Sequence, residues 1–286
     1  GGGMHGNHVF SRCGDIYDIV LNNSCNAAAS IYRKAAVFLF CILLLYGFAT
    51  GSSAFAVDVG TCRVIDAPGS YRLTTNIQES TAVKCIEITS NDVVLDGGNH
   101  SISGKQTANT YGIHIYNPSQ ALTNIVIRNL SLKDWHVGIY LQNVDDSAIE
   151  DSTINQNEYC GVHLAGCDRN TIDNCSLTTN NFFGVILNGG SANNTISANT
   201  VNDQGQGIQV GLNNSLANHT VIRNNSIGGN NYGIDVASSD YLTLEDNKIT
   251  YNWYGIYLAN STGNQVIRNV VTDNGYEGQY AGIYLY

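Results

Sequence analysis

Along residues 57–286 the apolar positions fall into three recurring series, separated by Asn, Asp, Ser and Gly. One is a phrase, Gly112-Ile113-His114-Ile115, that returns as Gly138-Ile139-Tyr140-Leu141, Gly161-Val162-His163-Leu164 and Gly184-Val185-Ile186-Leu187, then at Gly207, Gly233, Gly255 and Gly282. The steps between these glycines are 26, 23, 23, 23, 26, 22 and 27 residues, and Cys85-Ile86-Glu87-Ile88 stands one period upstream with cysteine in the glycine slot. The second series is Ile127, Ile149, Ile172, Ile196, Ile222, Leu244 and Ile267; the third is Leu132, Ile154, Leu177, Val201, Ile227, Ile249 and Thr272. Three short alternating segments per period, each closed by turn-forming residues, predict three strands and three turns. A helix is excluded, because no apolar spacing of three to four is sustained and Asn is poor inside helices. One period is therefore one coil of a parallel β-helix, stacked on the next at strand spacing, about 4.8 Å.

Three residues past each member of the second series stand Leu130, Ser152, Cys175, Asn199, Asn225, Asn247 and Val270. They share parity with the inward residue two positions on, which places Asn199, Asn225 and Asn247 inside as a ladder. Stacked side-chain amides can hydrogen-bond along the axis and satisfy groups that would otherwise be buried unpaired.

The combination Ile-x-x-Asn-x-Ile followed by Asn-x-x-Gly-Ile-x-Leu resembles right-handed parallel β-helix repeat proteins, the NosD-like and carbohydrate-binding/sugar-hydrolysis superfamily. The resemblance spans roughly residues 57–286. It implies an all-β, single-stranded right-handed parallel β-helix with three short strands per coil and about nine coils. For activity it leaves a choice, because lyases, hydrolases, epimerases, binding modules and surface proteins share this fold.

Upstream of the repeats, Arg33-Lys34 precedes AAVFLFCILLLYGFA, and Ala54-Phe55-Ala56 supplies a small-x-small site. That predicts a signal peptide over 32–56, with a retained anchor as the alternative. Residues 1–31 show no periodicity and are expected to be a disordered extension or an over-extended gene prediction. At the other end AGIYLY stops in mid-coil, so the expectation is either truncation or end-to-end self-association of an open solenoid end. Removing Arg12, Arg33, Lys34, Asp15 and Asp18 from 13 basic and 23 acidic residues leaves 10 against 21 in the repeat region. Such acidity argues against nucleic acid and against anionic polysaccharide as partners. A secreted or cell-surface location fits, as do the Asn-x-Ser/Thr sequons at Asn99, Asn193, Asn213, Asn218 and Asn260. Cys62 and Cys85 bracket the first coil, and in an exported protein a bridge between them would pin the N-terminal cap. Cys160 and Cys167 could pair within one coil, leaving Cys175 a buried thiol.

The residue between the two inward aliphatics of the Gly-Ile-x-Leu strand must point outward. That slot reads Glu87, His114, Tyr140, His163, Ile186, Gln209, Asp235, Tyr257 and Tyr284. Tyr and His present flat amphipathic faces suited to sugar rings, while carboxylates suit hydroxyls; the same column would also serve as an ordinary solvated face. Catalysis meets obstacles. A lyase or epimerase needs a cation for the uronate carboxylate, and the column has none. A glycosidase needs two carboxylates about 5–10 Å apart, and Glu87 and Asp235 are six repeats apart. Copper is disfavoured, since His114 and His163 lie two coils apart and the only methionine is Met4. Asp145 and Asp168, each seven residues past its glycine, stack at the next corner and form a weak Ca²⁺ candidate; otherwise they are solvated turn residues. No other cofactor is expected. The reading is a secreted or cell-surface β-helix with a structural, adhesive or glycan-binding role, its partners being glycan or cell-envelope components. The alternative is a polysaccharide lyase, epimerase or glycoside hydrolase.

Overall fold

The computed structural model describes residues 56–212, 215–275 and 280–286. The predicted signal peptide, the residues before it and the sequon at Asn213 lie outside the described residues, apart from Ala56. The described elements are all strands, and they build the expected β-helix from three long parallel sheets, with one further short parallel pair, Leu122–Thr123 and Val144–Asp145. Ten strands form the first sheet, from Val57–Val59 to Gln265–Ile267; eight form the second, from Ser101–Ser103 to Val270–Thr272; ten form the third, from Arg63–Ile65 to Ile283–Leu285. Successive coils are in register, so Ile127, Ile149, Ile172, Ile196, Ile222 and Leu244 sit side by side. A single apolar core threads the solenoid from Val59 to Leu258.

Every coil turns three corners, and left-handed backbone makes the turns. At the first corner Asn129, Asp151, Asn174, Ala198, Asn224, Asp246 and Arg268 have φ between 48° and 56°. At the second, Asp134, Gln156, Thr179, Asp203, Gly229, Tyr251 and Asp273 have φ between 53° and 68°. Asn and Asp tolerate this region best among residues with a side chain, which accounts for much of the polar punctuation. The inward residue that follows carries the ladder. Asn199 Nδ2 donates to Ile172 O and to Asn225 Oδ1 (2.9 and 3.0 Å), and Asn225 Nδ2 donates to Ile196 O and Asn247 Oδ1 (2.9 and 3.0 Å).

Two corrections follow from the last coil. Leu244 pairs with Val266 and Ile249 with Val271, so Val266 and Val271, rather than Ile267 and Thr272, hold the inward positions. The ladder accordingly continues through Asn269, whose Oδ1 accepts from Asn247 Nδ2 at 2.9 Å, and not through Val270. A second ladder that the parity argument would equally have found runs through Asn157, Asn180, Gln204, Asn230, Asn252 and Asn274 at the second corner.

The repeated glycine is set by the approach of neighbouring coils. A Cβ on Gly138 would lie 2.6 Å from the Gly161 carbonyl oxygen and 2.6 Å from the Ile154 side chain, and Gly161 meets Gly184 in the same way at 2.7 Å. Cys85, in the earliest glycine slot, is bonded to Cys62. The expected pairing of Cys160 with Cys167 does not occur: Cys160, Cys167 and Cys175 are free and buried. Cys160 belongs to a cluster on the outer face of the third sheet, whereas Cys167 lies in the core and its thiol donates to Leu141 O at 3.4 Å.

Candidate functional site

The third sheet carries the outward column as the alternation requires. Glu87, His114, Tyr140, His163, Ile186, Gln209, Asp235, Tyr257 and Tyr284 are aligned coil to coil in a single file. Beside it runs a second outward file that the sequence reading missed: Lys84, Tyr111, Val137, Cys160, Phe183, Gln206, Tyr232 and Tyr254. The signal lay three residues before each slot, on the far side of the Gly-Ile pair that turns inward together. The two files close over each other at mid-length. Val137, Cys160 and Ile186 are buried there against Tyr111, Tyr140, Tyr159, Phe183 and Leu212, so this stretch is neither groove nor solvated face.

Two polar patches flank the apolar stretch. In the first, Lys84 Nζ meets Glu87 Oε1 at 2.6 Å, and His114 Nδ1 lies 3.8 Å from the same oxygen, beyond hydrogen-bond reach. His114 is buried and its Nδ1 has no hydrogen-bond partner. Burial, followed by repulsion from Lys84, brings its imidazole down to about 4 against the opposing pull of Glu87. Tyr140 stacks on His114 with ring centroids 5.3 Å apart and touches His163 at 4.8 Å. His163 Nε2 pairs with Asn188 Oδ1 at 3.1 Å, and burial lowers its pKa despite that contact. Lys84 supplies the cation that the slot column lacked.

The second patch surrounds Asp235, which is 8% exposed and whose carboxyl burial raises to about 6. Tyr257 and Tyr284 stack at 5.1 Å with 6° between their planes, and Tyr232 and Tyr254 at 5.0 Å with 14°. Tyr254 meets Tyr257, Tyr280 and Tyr284 edge-on. Two ring stacks at right angles thus give this patch both ring edges and hydroxyls on one surface, next to a carboxyl that is half protonated in mildly acidic solution.

Elsewhere, Asp145 and Asp168 do stack on adjacent coils. Asp145 Oδ1 accepts the Asp168 N–H at 2.8 Å, Asp168 Oδ1 accepts the Ala192 N–H at 2.7 Å, and the Arg169 guanidinium lies 3.5 Å from Asp145 Oδ2. A cation there would compete with Arg169. Among the sequons, Asn99, Asn193 and Asn260 are exposed at left-handed positions, and the half-buried Asn218 accepts the Asp240 N–H.

A family model described as Periplasmic copper-binding protein (NosD) matches residues 87–284. No curated protein matches the chain. Among solved structures, the A-module of the Azotobacter vinelandii mannuronan C-5 epimerase AlgE6 superposes with a TM-score of 0.63 at 18% identity, covering 81% of this chain and 72% of that one. The Dettilon tailspike protein gives 0.60 at 17% identity, covering 73% of this chain and 46% of that one, so the chain spans less than half the tailspike's length. The periplasmic alginate epimerase AlgG gives 0.51 at 13% identity, covering 70% and 58%. These likenesses establish the fold. The donors among the described residues do not fit the copper of the family description. The coil of Tyr140 separates His114 from His163. Among the described residues no three of His, Cys, Asp and Glu stand together as a metal would need, and none is methionine.

Proposed function

The chain belongs to the NosD family, and from that premise we propose that it is a secreted or cell-envelope β-helix that binds glycan on the outer face of its third sheet without turning it over. The observation that carries this reading is the perpendicular tyrosine stacks around Asp235. Tyrosine offers an apolar ring and a hydroxyl at once, the combination that a sugar's alternating C–H and O–H surface requires. The mannuronan and alginate epimerases of the same fold lend coarse support to a glycan partner.

A second reading is favoured by one cluster. Lys84, Glu87, His114 and Tyr140 bring a cation, a carboxylate, an unprotonated imidazole and a phenol onto three consecutive coils, the group types that proton abstraction beside a uronate carboxylate would use. Against it, Lys84 is already paired with Glu87 and His114 is buried.

One preparation tests both. Applied to a glycan array, the full-length chain should bind, and Tyr257→Ala should weaken the signal several-fold with little change in melting temperature. Incubated with neutral and uronic polysaccharides, it should release neither reducing ends nor unsaturated products. Turnover abolished by His114→Ala would put the enzyme reading in its place, and an array profile indifferent to Tyr257→Ala would leave only a structural role.

A further inference from the structure

A groove of about 740 Å³ runs along the second corner, away from the tyrosine face. It owes its depth to missing side chains. Gly205 stands where the neighbouring coils carry Asn181 and Asn231, and Gly229 stands where they carry Asp203 and Tyr251. A Cβ on Gly205 would lie 2.8 Å from the Phe182 carbonyl oxygen, and one on Gly229 would collide with the Asp203 carboxylate. The buried amides of the second ladder, Asn157, Asn180 and Gln204, form part of the lining, and their hydrogen bonds to one another hold it rigid. A smaller hollow beside Asp203, Gly229 and Tyr251 extends the groove toward the C-terminal coils. From Gln156 through Thr179, Asp203 and Gly229 to Tyr251 is four coil steps, about 19 Å at strand spacing.

The lining is chemically uniform. It offers amides, a threonine and two carboxylates, and contains neither Lys nor Arg. The side chains of Asn181, Asp203 and Asn231 are exposed, and none of them bonds to another of the described residues. Tyr251, which lines the smaller hollow, is 71% exposed, and Phe182, next in sequence to the lining residue Asn181, is 52% exposed.

We infer that this corner groove is a second saccharide site, built for a neutral, extended oligosaccharide lying along the solenoid axis. An extended ligand matches its length. Alternating donors and acceptors match a polyhydroxyl chain, with Asp203 accepting from hydroxyls as the strongest single contact. The rings of Tyr251 and Phe182 suit the apolar faces of sugars. The carboxylates of Glu158 and Asp203, with no cation among the lining residues, repel uronate and sulfated chains. The site stands independently of the tyrosine face and would survive the failure of that proposal.

The test is calorimetric titration of neutral gluco- and manno-oligosaccharides into the full-length Tyr257→Ala chain, in which the tyrosine face is weakened and substitutions at the corner groove separate the two sites. Binding should persist, and an oligomannuronate should not compete. Adding Asp203→Asn, which retains a residue that tolerates the left-handed turn, should weaken binding about tenfold, the loss of one charge-assisted hydrogen bond. Asn181→Ala with Asn231→Ala should weaken it at least as much, with unchanged melting temperature. Absence of any neutral-saccharide binding in the Tyr257→Ala chain, equal binding of oligomannuronate, or affinity indifferent to both sets of substitutions would overturn the assignment.

Discussion

His114 and Asp235 occupy the same file five coils apart, and burial shifts them in opposite directions. The Asp235 carboxyl rises from 3.8 to about 6, while the His114 imidazole falls from 6.5 to about 4, with Lys84 adding to the fall. Between about pH 4 and 6 the unfolded chain has released the Asp235 proton and the folded chain still holds it, so this group makes stability decline as pH rises. His114 acts in reverse. Its stabilisation is complete above 6.5 and disappears as pH falls toward 4, because the unfolded chain takes up the proton first. Each shift corresponds to a free energy on the order of 3 kcal/mol, and over most of the shared window the two slopes offset each other. Urea unfolding of Asp235→Asn should therefore show stability climbing with pH from 4 to 6.5 and exceeding the parent's at pH 7. His114→Gln should show the opposite slope. Three parallel profiles would mean that neither group is desolvated. The sequence placed both residues on one outward file, since strand alternation decides the face of a sheet. It could not show their burial, because that depends on the neighbouring file, where Tyr111, Val137, Cys160 and Phe183 stand three residues away across an inward Gly-Ile pair.

At the scale of the strand and its corner, the information lies in the asparagines. Asn225 Oδ1 receives the Asn199 backbone N–H and side-chain amide at 2.9 and 3.0 Å, and its own amide satisfies Ile196 O. Asn225→Ala strands these groups in the core, where each unpaired one costs about 1–3 kcal/mol. Asn269→Ala removes the equivalent bonds to Asn247 at a part-buried site that water can reach. Chemical denaturation should show Asn225→Ala losing about 2–4 kcal/mol and Asn269→Ala distinctly less; equal losses would contradict a ladder whose value lies in its burial. Parity alone made the first-corner ladder legible, because the αL-then-inward order recurs at a fixed distance from an aliphatic residue. The same rule three residues past Ile154, Leu177, Val201, Ile227 and Ile249 marks the second ladder. The final coil misled for a physical reason. In Val266-Ile267-Arg268-Asn269-Val270-Val271 two adjacent aliphatics compete for each inward slot, and the amide spacing of 22 from Asn247 to Asn269 settles the register. The corner groove was not legible, since it is defined by side chains absent at Gly205 and Gly229 on coils whose neighbours carry them.

Across the described residues, the strands of the three large sheets pair only with their copies on adjacent coils, so stability should behave largely as a chain of nearest-neighbour interfaces rather than one indivisible core. Among the described residues the first coil has a neighbour on one side only, and the Cys62–Cys85 bridge, with its sequence separation of 23, ties it to the next. Closing a loop of that size restricts the unfolded chain by about 3 kcal/mol, and in a solenoid the loss of that restraint should appear where the bridge acts. Replacing both cysteines by serine should therefore fray the N-terminal coil. Amide exchange should accelerate along Gly69–Leu73 and Lys84–Ile88 and stay at parental rates along Tyr232–Ala237 and Tyr254–Ala259, six and seven coils away along the stack. The global melting temperature should move little, because the coils between remain paired on both sides. Uniform acceleration in all four segments would instead show one cooperative unit, with the bridge as a restraint on the entire fold. The graded outcome follows from the repeat itself: each Gly-Ile-x-Leu strand is aligned only with the copy before it and the copy after it, so a disturbance at one end passes through the sheet coil by coil.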